Sequence, residues 1–545
     1  MEILKTGKPL VACDEDLGKA LSVADKLFRN GQPELASRWY QAVVDYRRNA
    51  FALARLAHID RFQGRFSSAK GSLQQALDLE PDNPELMANL ASLLVLTGYH
   101  EEGIALARKA VARAKGHSGV VSSYLITLHY ASQLDPEFLY EEHVRWGAQL
   151  AGQSQPARRF YHDPDPERVL RVGYVSADFR MHSVAYNMEA FFSARDRSRF
   201  EAVGYHCSPL SDPFTRHLAG LCTQFREVEA MSDQELADQI QADAIDILVF
   251  VGGHTMDNRL GVAAYRPAPI QVDYGSINTI GSPHIDYRLT DAILDPPDSQ
   301  SLYLETLVHL PGGLICYKAP IDAPAVAPLP ARQNGYVTFG SFNGSQKTGR
   351  EVVGLWSEVL RAVPGSRFLL KFAGGDDAAV AQRYRAWFEA CGVKAERVEI
   401  RGWVTPREHL EYYHRVDIAL DTFPYHGCLT TLEGLWMGVP VISLRGDCCV
   451  SRVSDTILSR LDMAFFVATQ REEVVRKAQA LAGNTEALAR IRTTLRQRMQ
   501  ASVLSDAKRF AGQVERAYRE MWQAWVRSVG GEETVGSDQT VVEVR

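Results

Sequence analysis

The chain has 545 residues, 46% hydrophobic, 23% charged and 9% aromatic, a length that suggests about three or four domains and a balance that fills ordinary cores. Its 66 acidic and 60 basic residues leave a net charge of −6, so no global field draws the molecule to nucleic acid or to an anionic membrane. The start, MEILKTGKPLVACDEDLG, lacks an apolar stretch of signal-peptide length, no later run is long enough to span a bilayer, and the eight cysteines form no CxxC pair. Together these features describe a cytoplasmic protein with reduced thiols. The adjacent Cys448 and Cys449 have no nearby His or Cys to complete a zinc site, so no metal is expected.

A repeat of about 34 residues opens the chain. The segments ELASRWYQAVVDY, SSAKGSLQQALDLEP and EEGIALARKAVARA align, with Ala42, Ala76 and Ala110 spaced 34 residues apart. Ala36, Ala69 and Gly103 precede them, and Gly31, Gly64 and Gly98 mark a turn before each segment. Small residues at these places let antiparallel helices approach closely, while Leu73, Leu77, Leu90 and Leu93 supply the buried stripe. This is the tetratricopeptide pattern, and residues 1–150 read as an all-α solenoid whose concave face binds peptides or partner proteins.

Beyond a polar break at 152–166 the grammar becomes α/β. Leu170–Val175, Ala202–Tyr205, Ile245–Val251 and Ile270–Tyr274 read as strands, and Asp233–Asp243 as an amphipathic helix. A proline-punctuated stretch, 296–334, leads into a second such half with strands at Tyr336–Ser341, Phe368–Phe372, Val398–Ile400, Val416–Leu420 and Pro440–Leu444. The expected domains are therefore a solenoid (1–150), one Rossmann-like half (167–325), a second with closing helices (333–529) and a disordered tail (530–545). Two doubly wound domains that face each other leave a crevice outside the carboxyl ends of their strands. The arginine-rich stretch 485–526 interleaves acidic residues and reads as a solvated helix face.

Candidate chemistry gathers at strand ends. In VDIALDTFPYHGCLTTLEGLWMG a strand closes near Asp421 and a helix begins around Thr430, so that Thr430, Thr431 and the first amides can meet a diphosphate while Glu433 accepts from a ribose. Thr430 and Glu433 fit a plain capping box equally well. In SFNGSQKTGR, Lys347 can place an ammonium on a leaving phosphate, or simply be solvated. His182, in SADFRMHS, and His254, in VGGHTMDNR, follow strands of the first half, where a histidine can move a proton or hold a ligand.

The strings VGYVSADFRMHSVAY, VFVGGHTMDNRLGVAAYRPAPIQV, DYRLTDAILDPP, VTFGSFN, RVDIALDTFPY and LEGLWMGVPVISLRGD, together with the repeats, resemble the SPINDLY and O-linked N-acetylglucosamine transferase family. That resemblance implies tetratricopeptide repeats joined to two Rossmann-like domains in GT-B arrangement. It also implies an inverting, metal-independent transfer from a nucleotide sugar, UDP-N-acetylglucosamine or GDP-fucose, to Ser or Thr of a protein that the repeats present. Lys347 then matches the lysine on the donor diphosphate, Thr430 and Thr431 the pyrophosphate loop, Glu433 the ribose contact, His409 a residue near the base, and His182 one at the active site. Asn343 and His254 fall in segments that line the donor cleft. The chain departs from the family pattern at His426–Leu429, at Asp273–Pro283 and at Gly344–Gln346. Cys428 and Leu429 motivate the competing reading, a non-catalytic adaptor with a degenerate transferase portion.

Overall fold

The computed structural model describes residue 11 and residues 13–150, 159–160, 163–530 and 542–543. Eight helices come first: α1 (Asp14–Arg29), α2 (Pro33–Tyr46), α3 (Ala50–Phe62), α4 (Phe66–Leu79), α5 (Pro84–Leu96), α6 (His100–Arg113), α7 (Ser118–Leu128) and α8 (Pro136–Leu150). Gly31, Gly64 and Gly98 take φ of 69°, 73° and 88° in the turns within the first three helix pairs, a left-handed conformation that glycine adopts without strain. The small-residue rule has a direct cause at Gly103, where a Cβ would stand 2.7 Å from a methyl of Val95 and 2.8 Å from the carbonyl of Ala91.

The first half is a seven-stranded parallel sheet: β1 (Leu170–Ser176), β2 (Phe200–His206), β3 (Gln224–Glu227), β4 (Ile247–Val251), β5 (Ile270–Tyr274), β6 (Tyr287–Thr290) and β7 (Thr306–His309), in the order 3-2-1-4-5-6-7. A six-stranded parallel sheet forms the second half: β8 (Thr338–Ser341), β9 (Arg367–Lys371), β10 (Val398–Arg401), β11 (Ile418–Leu420), β12 (Val441–Leu444) and β13 (Val467–Ala468), in the order 10-9-8-11-12-13. Both are doubly wound, with the order reversing beside β1 and beside β8. The GT-B pairing of two Rossmann-like halves behind an all-α region is the fold the sequence implies.

The last helix, Ala507–Gly530, crosses back to the first half. Its Phe510, Tyr518, Met521 and Trp522 bury against Leu170, Phe191 and Phe192. The arginine-rich stretch is less solvated than its charge suggests. Arg492 is buried and donates to the carbonyls of Ala327, Tyr413 and Val416, and Arg496 to those of Trp436 and Pro324, since a guanidinium carries five donors that can satisfy chain ends. Of the tail expected at 530–545, Gly530 ends the last helix and Val542–Glu543 pairs antiparallel with Arg159–Phe160, while the rest lies outside the described residues. No helix among the described residues is long and apolar enough to cross a membrane.

The solenoid is continuous with both halves. Phe66, Leu73, Leu86 and Leu90 share a core with Phe372, Tyr384 and Trp387 of the second half, and Ser67 donates twice to Asp377 at 2.7 Å. On the other side, Val121, Tyr124 and Leu125 join the core of Val175, Phe250 and Ile280. The backbones meet at Gly281, whose φ is 76° and whose Cβ, if present, would lie 2.0 Å from the carbonyl oxygen of His143. Gly281→Ala should therefore lower stability by more than about 1 kcal/mol, since left-handed strain and a backbone clash add. Gly18→Ala, in the exposed interior of α1 with nothing within 4 Å, should raise it by about 0.5–1 kcal/mol. Thermal melts of the two variants check the contrast.

Candidate active site

β8 and β11 are parallel neighbours at the point where the second sheet reverses its order, so the loops at their carboxyl ends open into the same crevice. Asp421 ends the apolar run of β11 and is buried. One carboxylate oxygen accepts from the amides of Thr422 and Gly427, each at 2.8 Å, and from Asn343 Nδ2 at 3.3 Å. The other accepts from Ser454 Oγ at 2.5 Å and Ser443 Oγ at 3.3 Å. Asn343, in the loop after β8, accepts in turn from Thr430 Oγ1 at 2.9 Å, while Thr431 Oγ1 contacts Gly427 O at 3.3 Å and Ser454 Oγ at 3.0 Å. Asn343, Asp421, Thr430 and Thr431 line one cavity with Phe342 and Tyr413.

The helix that follows spans Leu429–Trp436, with Cys428 at its cap position and no side chain capping it. The capping-box alternative is thus not realised: Thr430 lies inside the first turn and Glu433 turns to His409. An uncapped first turn presents amides and the positive end of the peptide dipoles to an anion. Lys347 reaches the same loop. Its ammonium donates to His426 O at 2.7 Å and stands 4.0 Å from the centre of the Tyr425 ring. Burial lowers its pKa to about 8, with the Asp421 carboxylate pulling the other way. His426 is itself buried, with Nε2 donating to Leu444 O at 2.8 Å and Nδ1 accepting from the Ser454 amide at 3.3 Å, so it shapes the loop and offers its carbonyl to the lysine.

A second polar chain lies beside the first. Lys371, buried at the end of β9, donates to His409 Nδ1 at 2.8 Å, and His409 Nε2 donates to Glu433 at 3.0 Å. The lysine thereby fixes the ring with its proton on Nε2. Phe342 and Tyr413 flank the imidazole, their ring centres 5.7 and 5.6 Å away, and burial brings the Lys371 pKa to about 8 against the attraction of Glu433.

Across the crevice, His182 caps α9 (Ser183–Ala194), its Nδ1 accepting from the Val184 amide at 3.4 Å with the Asp178 carboxylate 3.7 Å away. Burial lowers its pKa, which the Asp178 carboxylate opposes. Tyr186, one turn on, has its pKa raised by burial and by the Glu433 carboxylate of the second half. His254 is not part of this group. It is buried at the solenoid interface, with Nδ1 3.1 Å from Ser122 Oγ and Nε2 donating to Ile280 O at 3.1 Å. A cleft lined by Phe28, Arg29 and Arg55 of the solenoid and by Glu229, Asp257 and Arg259 of the first half runs alongside.

Asp421 and Lys371 were not singled out by the sequence reading. Each closes an apolar strand run (IALD, RFLLK), and a charged residue at the carboxyl end of a central strand is the signal that marks them. Asp421→Asn should destabilise the protein by about 1–3 kcal/mol, because an amide cannot accept on both sides. It should also move the Lys347 pKa further down, since the carboxylate now holds it up. Urea unfolding and an NMR titration of the Lys347 ammonium measure the two effects.

The comparisons agree with this architecture. A tetratricopeptide model matches residues 63–121, and the model of glycosyl transferase family 41 matches residues 154–317 and 329–514. The chain is 35% identical over 407 residues, 74% of its length, to the Petunia hybrida protein named as a probable UDP-N-acetylglucosamine–peptide N-acetylglucosaminyltransferase SPINDLY. It is 34% identical over 409 residues to that of Arabidopsis thaliana. It spans under half the length of these relatives, 44% and 45%. A mutant of the O-GlcNAc transferase of Thermobaculum terrenum superposes with a TM-score of 0.90 at 33% identity, covering 95% of this chain and 100% of that one. On the extent of the family match, the chain belongs to glycosyl transferase family 41.

Proposed function

We propose that the protein is an inverting glycosyltransferase that moves a sugar from a nucleotide-sugar donor to a Ser or Thr hydroxyl of a protein acceptor. The observation that carries this reading is the convergence of Lys347, Asn343 and the uncapped helix Leu429–Trp436 at the switch point of the second sheet. A diphosphate leaves poorly unless its growing charge is met. The ammonium and the helix dipole supply that charge without a metal ion. We assign the hydroxyls of Thr430 and Thr431 to phosphate oxygens and Glu433, oriented by His409, to the ribose. Among the described residues no group of three or more His, Cys, Asp or Glu side chains could hold a metal ion.

In the reaction, the acceptor oxygen bonds to the anomeric carbon from the face opposite the diphosphate. The bond from that carbon to the diphosphate oxygen breaks, and its electron pair leaves with the nucleotide. We assign the hydroxyl proton to His182 Nδ1, which carries no proton and frees its lone pair by giving up the long, 3.4 Å contact with the Val184 amide; Asp178 then stabilises the imidazolium. The cleft between solenoid and first half supports a polypeptide acceptor, and the names of the relatives favour UDP-N-acetylglucosamine over GDP-fucose. We place the protein in the cytoplasm, a reading supported by its eight free thiols. His254, a donor-cleft candidate by resemblance, is better read as an interface residue.

Lys347→Ala should lower kcat by about 10² or more, on the order of 3 kcal/mol of lost transition-state stabilisation, with nucleotide binding weakened far less. Lys347→Arg should recover part of that, because a fork does not reproduce a point charge in a tight loop. Near-native turnover in folded Lys347→Ala would contradict the mechanism. The kcat/KM profile should be bell-shaped, because neutral His182 is lost on protonation below its ordinary 6.5 and the Lys347 ammonium is lost above about 8. Excess EDTA should leave turnover intact. Mass spectrometry of a co-expressed acceptor gives the mass of the added sugar, and with it the donor.

A further inference from the structure

The solenoid reaches the catalytic lysine itself. Tyr130, just beyond α7, stacks on Tyr425 with ring centres 5.5 Å apart and planes at 13°. Tyr425 is the ring beside which the Lys347 ammonium rests, 4.0 Å from its centre. His100, at the start of α6, donates from Nε2 to the Gln346 carbonyl at 2.8 Å. The repeat array thus holds the lysine loop by its backbone and by the ring on which the charge sits.

We infer that Tyr130 is a positioning residue for Lys347, so that the repeat array takes part in donor chemistry as well as in acceptor capture. The physical reason lies in the loop. Gly344 and Gly349 flank a single 3-10 turn, Ser345–Lys347, and a turn between two glycines has much backbone freedom to lose. Tyr384 of the second half meets both ends of the turn, its hydroxyl 3.3 Å from Ser345 O and 3.0 Å from Thr348 O, while the solenoid holds the middle, at Gln346. An electrostatic donor works only as well as it is preorganised, and an ångström of misplacement is costly. Lys347 also faces Asp421, Cys428 and His426, none of which fixes the position of Tyr425 from the solenoid side.

The inference rests on the role proposed for Lys347, and the test separates the two. Full-length wild type, Lys347→Ala, Tyr130→Ala, Tyr130→Leu and Tyr130→Phe are assayed for sugar release to water from UDP-N-acetylglucosamine and from GDP-fucose, a reaction on which acceptor capture has no bearing. Binding of UDP and GDP is titrated in parallel. Tyr130→Ala should lose about tenfold or more in kcat while diphosphate affinity changes by less than about threefold, and Tyr130→Phe, which keeps the stack, should recover most of the loss. Tyr130→Leu, which keeps bulk without a ring, should be as slow as Tyr130→Ala and stands in for it if the alanine variant does not fold. Native kcat in the folded Ala or Leu variant, or a loss of affinity that accounts for the whole loss of turnover, overturns the inference while Lys347 keeps its role. A wild-type chain that releases sugar from neither donor, or a Lys347→Ala variant as fast as wild type, overturns the reading of the site and the inference with it.

Discussion

The Asp421 carboxylate lies inside the protein with five donors on its two oxygens: the amides of Thr422 and Gly427, the Asn343 amide and the hydroxyls of Ser443 and Ser454. A buried charge is tolerated only when it is so satisfied. Because the donors come from separate segments, satisfying the charge fixes the loop after β8, the turn at Gly427, β12 and the helix that carries Ser454 relative to one another. Asn343 is then placed to meet Thr430, and the His426 carbonyl is placed to meet Lys347. The same negative charge favours the protonated form of that lysine in a setting that otherwise expels it.

The site has two faces of different character. In the second half, Lys347 and Lys371 are both held near a pKa of 8 by burial, and each is tied to a polar partner. Opposite, His182 caps a helix beside a buried Asp178, and the start of that helix feels Glu433. The halves are held in register by Asp291 of the first, which accepts from Thr456 Oγ1 at 2.9 Å, and by Gly312 O, which accepts from Arg460 Nε at 2.8 Å. The last helix, returning from the second half to cover the first, closes the chain over that joint.

Much of this was legible in the residues. The spacing of Ala42, Ala76 and Ala110 announces paired helices, and apolar runs such as ILVFV and IALD announce central strands because they are buried on both faces. The short strands Gln224–Glu227, Tyr287–Thr290 and Thr306–His309 were missed. The first is a partly exposed edge strand, and the second carries Arg288, whose burial depends on Asp273 and Asp295 arriving from elsewhere. At the site, the strand-end positions pointed to Lys347 and the threonines, and the family resemblance to Asn343. The sequence did not reveal that His254 serves the solenoid interface, or that Lys371 sets the tautomer of His409, since both depend on contacts across long separations. The solenoid read as a domain of its own, and Gly281 against His143 and Tyr130 against Tyr425 join it to both halves.

The central claim is that a nucleoside diphosphate is held by Lys347 and the first turn of the helix Leu429–Trp436. A crystal structure of the chain with UDP, and a second with GDP, tests it most directly. The account predicts a β-phosphate within hydrogen-bond distance of Lys347 Nζ and of first-turn amides, with the ribose on Glu433 and the base toward His409. A diphosphate bound elsewhere, or bound here with Lys347 still turned to the His426 carbonyl and making no contact with it, would contradict the account.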